Sequence, residues 1–286
     1  MGVAVLALGL AGVANAGTKA APLDPPLVDL AQPLHPDDDF LGSTISSNEP
    51  TSFWTVATPT STANNLAGID VSHYQGTINW ASVAAGGARF AYLKATESTT
   101  FVDPQFSANF AGALKAGVIR GAYHFALPDR SSGAAQANYF VAHGGGWVAD
   151  GYTLPPVLDI EYNPYNTKAV CYGLTQPQMV AWIADFADTV HQLTKRWPVI
   201  YSTTNWWSTC TGNSSAFAAN DPLWIARYST AVGALPKGWG FYTFWQHADS
   251  GPLPGDQDYF NGSVDQLRTL AYGGPPPDDA LNLLGW

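Results

Sequence analysis

The sequence predicts an α/β protein built as a (β/α)8-like barrel with reduced helices in its second half. Three observations lead there. Eight short apolar runs of strand length recur between residues 66 and 270. Amphipathic helical stretches separate the early runs, whereas the later connections are short and rich in Gly, Trp and Ser. Polar residues, many of them carboxylates, collect at the C-terminal end of each run, the face on which a barrel builds its site. A doubly wound open sheet is the alternative, but no Gly-rich phosphate loop follows the first strand.

In chain order, strands are expected at residues 67–71, 89–94, 119–125, 156–160, 199–202, 223–227, 241–246 and, short, 256–259. The helix predicted over 104–116 places Phe106, Phe110 and Leu114 four residues apart, and Gly117 stops it at the C′ position. A second helix, 131–143, follows a Pro128-Asp129 turn. The clearest helix is 175–194, with Thr175 as N-cap, Pro177 early, and Met179, Trp182, Ile183, Phe186 and Val190 on one face.

Outside residues 66–270 the character changes. Residues 1–16 read as a signal peptide, an apolar run followed by the cleavage pattern Ala14-Asn15-Ala16, so the protein is expected to be secreted. That run is too short to span a membrane. Residues 17–65 have no sustained period and are expected to be a disordered leader or linker. Residues 271–286, opening on Gly and Pro, are expected to be a C-terminal tail. The two cysteines, Cys171 and Cys210, are expected to form a disulfide in an oxidising compartment. Closing that loop stabilises a fold by about 4 kcal/mol in the chain-entropy account.

Composition narrows the function. The 12 Lys+Arg against 22 Asp+Glu give a net charge of −10, which argues against nucleic acid and against capture by an anionic membrane. Few charges with 11 Trp and 13 Tyr suit neutral, hydroxyl-rich ligands. The six histidines form no metal-ligand spacing, no G-x-S-x-G elbow occurs, and neither Cys sits in a nucleophile context, so no metal or cofactor is expected.

What is left is carboxylate chemistry, centred on Leu158-Asp159-Ile160-Glu161. Side chains alternate along a strand, so Asp159 and Glu161 share one face, roughly 6–7 Å apart by the strand rise. Like charges so close raise one another's pKa, and a raised carboxyl is what a general acid needs. The other strand ends carry Asp70 with His73, Tyr74 and Gln75; Lys94 and Glu97; Tyr123 and His124; Tyr201; Arg227 and Tyr228; Trp245 and Gln246; and Asp256 with Asp258. Carboxylates beside aromatics point to glycoside hydrolysis. His73 and His124 are read as hydrogen-bonded structural groups.

At these residues a family pattern emerges. Gly68-Ile69-Asp70-Val71-Ser72-His73-Tyr74-Gln75-Gly76, the Asp159–Glu161 strand, Tyr201-Ser202-Thr203, Leu223-Trp224-Ile225-Ala226-Arg227-Tyr228, and Gly255-Asp256-Gln257-Asp258-Tyr259-Phe260 occur in this order. The segment from Ala67 to Leu270 resembles glycoside hydrolase family 25, the Chalaropsis-type lysozymes, and its secreted actinobacterial members in particular. The resemblance implies a flattened barrel that cleaves the β-1,4 bond between N-acetylmuramic acid and N-acetylglucosamine in peptidoglycan, acting as a monomer on glycan strands. It assigns Glu161 as general acid, Asp159 as its partner carboxylate, and Asp70 and Asp256 as further site acids. Asp258 stands where the family more often has Asn, which leaves open whether Asp256 or Asp258 faces the site.

Because both acids sit on one strand, Asp159 is poorly placed to attack from the face opposite Glu161. Substrate-assisted hydrolysis through the N-acetyl group is the expected mechanism. Tyr123, Tyr201 and Trp245 are candidates for sugar stacking and N-acetyl contacts, Arg227 for pairing a carboxylate, and Gln75 and Asp258 for further substrate contacts. Two rivals use the same barrel: a non-catalytic wall-binding protein, which predicts loss of the carboxylates, and a chitinase, whose longer D-x-x-D-x-D-x-E run is absent here.

Overall fold

A computed structural model describes residues 39–49 and 65–275 of the chain. Its strands are β1 (Asn65–Val71), β2 (Phe90–Glu97), β3 (Phe101–Val102), β4 (Ile119–Phe125), β5 (Val157–Asp159), β6 (Val199–Ser202), β7 (Leu223–Ala226), β8 (Phe244–Ala248) and β9 (Asp256–Asn261). Eight of them close into a barrel through the β1–β2 pairing, while β3 only folds back on the end of β2. Strands β1, β2 and β4 to β8 run parallel. β9 runs antiparallel between β8 and β1, so a hairpin replaces the last crossover helix.

The helices are α1 (Ile45–Asn48), α2 (Trp80–Ala85), α3 (Phe106–Lys115), α4 (Gly133–Ala142), α5 (Gln176–Thr194), α6 (Thr204–Thr211) and α7 (Val264–Tyr272). The expected barrel with a thinner second half is the fold observed. Between β7 and β8 there is no helix, because residues 227–243 carry Gly233, Pro236, Gly238 and Gly240 where a helix would need to run. The strand expected from residue 241 begins at Phe244, and Phe241 lies exposed in the connection. Thr175 caps α5, its N–H bonding to Gln178 Oε1 at 2.9 Å. Cys171 and Cys210 are joined, which ties the approach to α5 onto α6.

The barrel interior is filled in layers by residues two apart on each strand. Phe90, Phe244 and Phe260 form an aromatic floor, with ring centroids 5.1–5.3 Å apart. Above it Tyr92, Trp224 and Tyr201 pack at 4.9–5.4 Å. Gly68 and Gly121 make room for this filling: a Cβ would lie 2.3 Å from the Phe90 ring and 2.2 Å from the Tyr92 ring. Toward the open end, six of the eight barrel strands turn a polar residue inward: Asp70, Lys94, Tyr123, Asp159, Gln246 and Asp256. The aromatic layers are therefore the base on which the polar layer stands.

Outside the barrel, α4 and α5 pack on each other through Phe140, Trp182 and Phe186 and cover His124 of β4. The second half lacks that cover and uses aromatic side chains instead. Leu223, Ile225 and Trp245 form a separate cluster with Tyr242 and Tyr259 packed on it.

The reading of residues 17–65 as a disordered leader does not extend to residues 39–49. These lie across the open end of the barrel as a turn followed by α1, with Leu41 and Ile45 buried. The expected signal peptide, the rest of the expected leader and the expected tail beyond residue 275 lie outside the described residues.

Candidate active site

β5 and its extension carry the two central acids. Past Asp159 the chain stays extended, Ile160 N–H bonding to Tyr201 O at 3.1 Å, and Asp159 and Glu161 project into the barrel mouth. Both are buried. Their surroundings differ sharply. Glu161 accepts from Gly42 N–H at 2.7 Å, from Thr44 N–H at 3.2 Å, and from the Thr44 hydroxyl. Asp159 receives no such donor, and its one side-chain hydrogen-bond partner is Glu161 itself. Burial raises both pKa values, Glu161 to about 7 against the pull of its Thr44 and Gly42 donors. Asp159 is raised well above the carboxylate range, first by burial and then by the charge of Glu161. Three donors on one acid and none on the other place the shared charge on Glu161 and the proton on Asp159.

A second group of acids sits across the mouth, organised by Gln246. Its amide nitrogen donates to Asp70 Oδ2 at 2.9 Å and to Asp256 Oδ2 at 2.8 Å. Its amide oxygen accepts from Tyr201 OH at 2.7 Å and Tyr228 OH at 3.1 Å. β1 and β9 pair Asp70 directly with Asp256, so both acids point to the same face. Burial pushes Asp70 up to about 8, and Asp256 well up, with Asp70 adding to the effect on Asp256. Asp258, two residues further along β9, lies one layer deeper, where Trp224 Nε1 donates to it at 3.2 Å. Asp256 therefore faces the mouth, while Asp258 belongs to the barrel filling beneath it.

Lys94 supplies positive charge from β2. Its ammonium, fully buried, bonds to Glu97 Oε2 at 2.7 Å and lies 5.2–5.3 Å from the Phe101 and Phe125 rings. Its charge draws the Asp159 pKa down, against the larger effect of burial. The sequence places Lys94 at a strand end, but only the pairing of β4 between β2 and β5 brings it toward Asp159.

Several expected contacts lie elsewhere. Trp245 follows the outer face of β8, with its indole N–H on Arg227 O at 2.8 Å, and it covers the stretch that lacks a helix. Its neighbour Gln246 is the one that points inward. Arg227 follows the end of β7 with its guanidinium against Gly233, and it borders a cavity of about 220 Å³ shared with Thr203 and Tyr228. Tyr201 is buried with its ring edge on Trp224, so its hydroxyl, and not its face, reaches the polar layer. Tyr123 is likewise buried, its hydroxyl accepting from Leu41 N–H at 3.3 Å. Gln75 caps its own turn, bonding Ser72 N–H at 2.8 Å, and lines a cavity of about 420 Å³ beside Asp256. His73 pairs with Asp103 at 2.8 Å. His124 sits between Thr96 and Gln136, its pKa lowered by burial to about 3, so it is neutral.

This arrangement, carboxyls of opposed environment at the mouth of an aromatic-filled barrel, matches a known family. The profile described as Glycosyl hydrolases family 25 matches residues 69–256. The chain belongs to that family. Lysozyme M1 of Streptomyces globisporus is 50% identical over 213 residues, covering 73% of this chain and 72% of that protein. The N,O-diacetylmuramidase of Chalaropsis sp is 48% identical over 212 residues, 73% of this chain and 100% of that one. Among solved structures, the muramidase from Acremonium alcalophilum superposes with a TM-score of 0.71 at 58% identity, over 73% of this chain and 99% of that chain. The protein is therefore a glycoside hydrolase on an irregular (β/α)8-like barrel. Among the described residues no helix is long and apolar enough to cross a membrane.

Proposed function

We propose that this family 25 hydrolase is a secreted muramidase that cleaves the β-1,4 bond between N-acetylmuramic acid and N-acetylglucosamine in peptidoglycan. The names of the relatives supply the substrate class, and the disulfide fits an exported protein. The observation that carries the mechanism is the placement of Asp159 and Glu161 on one strand, two residues apart and facing the same side. A double displacement needs a nucleophile on the face of the sugar opposite the acid. Two acids rising from one strand address the same side, so the substrate's acetamide is the nucleophile.

In this reading withdrawal of the Gly42 and Thr44 donors lets the shared proton pass from Asp159 to Glu161. Glu161 then protonates the leaving oxygen while the acetamide oxygen attacks the anomeric carbon, closing an oxazolinium ring. Asp159 orients the acetamide N–H and balances its developing charge. Glu161, now ionised, takes a proton from water as that water opens the ring, and configuration is retained. Asp70, Asp256 and Gln246 form the opposite wall of the mouth.

The test is clearing of purified cell walls, run beside colloidal chitin. Glu161→Gln should lower the rate by about 10²–10⁴-fold, the usual weight of general acid catalysis. Equal rates for the two proteins would remove Glu161 from the chemistry. Clearing of chitin but not of walls would favour the chitinase reading. An α-anomer as the first product in NMR would replace the acetamide by direct attack of water.

A further inference from the structure

Residues 39–49 lie across the barrel mouth, over Glu161, Gln246 and Tyr228. The Leu41 and Ile45 side chains are buried against the barrel, and Phe40 stacks on Tyr74 with centroids 5.3 Å apart. Gly42 sits at the deepest point, with φ of +90°. A Cβ there would stand 2.6 Å from Tyr228 Oη, 2.7 Å from Gln246 Oε1 and 2.9 Å from Asp256 Oδ2, so only glycine fits. The backbone is used as fully as the side chains. Leu41 O accepts from Gln246 at 3.2 Å, Gly42 O from Tyr228 at 3.3 Å, and Asp39 O from Lys94. Beyond α1, Glu49 accepts from Tyr162 at 2.9 Å and from Asn205 at 2.5 Å.

The segment divides the groove into two open ends. One is the cavity of about 420 Å³ lined by Tyr74, Gln75, Asp249 and Asp256. The other, of about 220 Å³, is lined by Glu49, Thr203, Asn205, Arg227 and Tyr228. Between them the three donors from Gly42 and Thr44 engage both oxygens of Glu161, which is buried beneath them. A sugar oxygen cannot reach that carboxyl while they are in place.

We propose that the groove is also a peptide-binding site whose ligand is the chain's own residues 39–49, and that this segment keeps most of the enzyme closed and lowers its rate until it is unseated. This rests on the muramidase reading for what is blocked, but not for the blockage itself. The covalent connection makes the contact strong. Residues 50–64 join Glu49 to Asn65, and 15 residues reach up to about 50 Å, more than twice the roughly 23 Å rise of a seven-residue strand such as β1. A tethered ligand of this kind experiences an effective concentration of about millimolar. The same segment as a free peptide is lost on dilution.

The experiment uses the full chain and two variants of the segment, the double substitution Gly42→Leu with Thr44→Ala and, independently, Leu41→Glu. Melting curves establish that each is folded. Co-sedimentation with purified walls reads access to the groove, and turbidity reads hydrolysis. Both variants should sediment with walls more than the unmodified chain and clear them at least tenfold faster. Millimolar synthetic peptide spanning residues 39–49 should reverse both effects. Equal sedimentation and equal clearing by all three proteins would overturn the proposal. Greater sedimentation of the variants, with no clearing by any protein, would uphold the plug and sink the muramidase reading instead.

Discussion

Replacing Gln246 separates a role in packing from a role in holding acids. The side chain is fully buried, and its five hydrogen bonds run to Asp70, Asp256, Tyr201, Tyr228 and Leu41 O. Gln246→Leu keeps the volume but leaves two hydroxyls and two carboxyls without their partner. A buried polar group so stranded costs about 1–3 kcal/mol. Taking the low end for each of the four, because hydroxyls rotate and carboxyls can bind a proton, gives about 4 kcal/mol. A domain of this size loses about 2–4 °C of Tm per kcal/mol, so the midpoint should fall by about 8–16 °C. Gln246→Glu is the sharper probe. As a neutral acid it preserves the shape and one donor, but ionised it sets a third carboxylate against Asp70 and Asp256. Those carboxyls then bind protons more tightly in the folded than in the unfolded chain, and such acids lose stability as pH rises. The Gln246→Glu loss should be small near pH 4 and large near pH 8, across the window from the ordinary Asp value of 3.8 to the folded Asp70 value of about 8. Differential scanning calorimetry at both pH values is the assay. An equal loss at pH 4 and pH 8 would refute the acid-clamp role and leave only packing.

The same linkage applies to the unmodified chain. Asp70 and Glu161 are raised from 3.8 and 4.5 to about 8 and about 7, so their contribution is complete below pH 4 and lost by pH 8. Tm should fall across that interval, and a Tm that rises from pH 5 to pH 8 would contradict the assignment. Lys94→Met removes the partner of buried Glu97 and should cost about 3–5 kcal/mol in urea unfolding. Adding Glu97→Gln should recover much of that loss, and no recovery would mean that the pair is not the source. Trp245→Ala empties the outer cluster and should cost about 3–5 kcal/mol, with no change in the wall concentration that half-saturates clearing. A raised half-saturation in a folded Trp245→Ala protein would return that ring to the groove.

Much of the architecture was legible in the chain. The strands at 119–125 and 199–202 fall where the apolar runs place them, because each is bounded by clear turn or helix-end signals. The expected helix 104–116 holds as α3, and Gly117 ends it with a left-handed φ of +76°. The Asp159–Glu161 spacing fixed a shared face before any fold was known. Trp245 shows where such reading stops. Period-two alternation sorts Trp245 and Gln246 onto opposite faces, but not into inside and outside. The large aromatic was the natural sugar platform, yet the outer face of β8 has no helix over it and needed that ring as cover.

By itself, the sequence determined what is local or periodic: the strand and helix pattern, the disulfide pair, the family, and the two acids on one strand. Only the tertiary structure decided which face each strand turns inward, since closure of the barrel sets that choice jointly for eight strands. It also decided the environments of the acids, because burial and donors come from residues distant in sequence. Gly42 and Thr44 reach Glu161 across |i−j| separations of 119 and 117. Nothing in the Pro-, Ser- and Thr-rich leader announces that contact. It exists because a glycine and a hydroxyl happen to complement a cavity that eight strand ends build together.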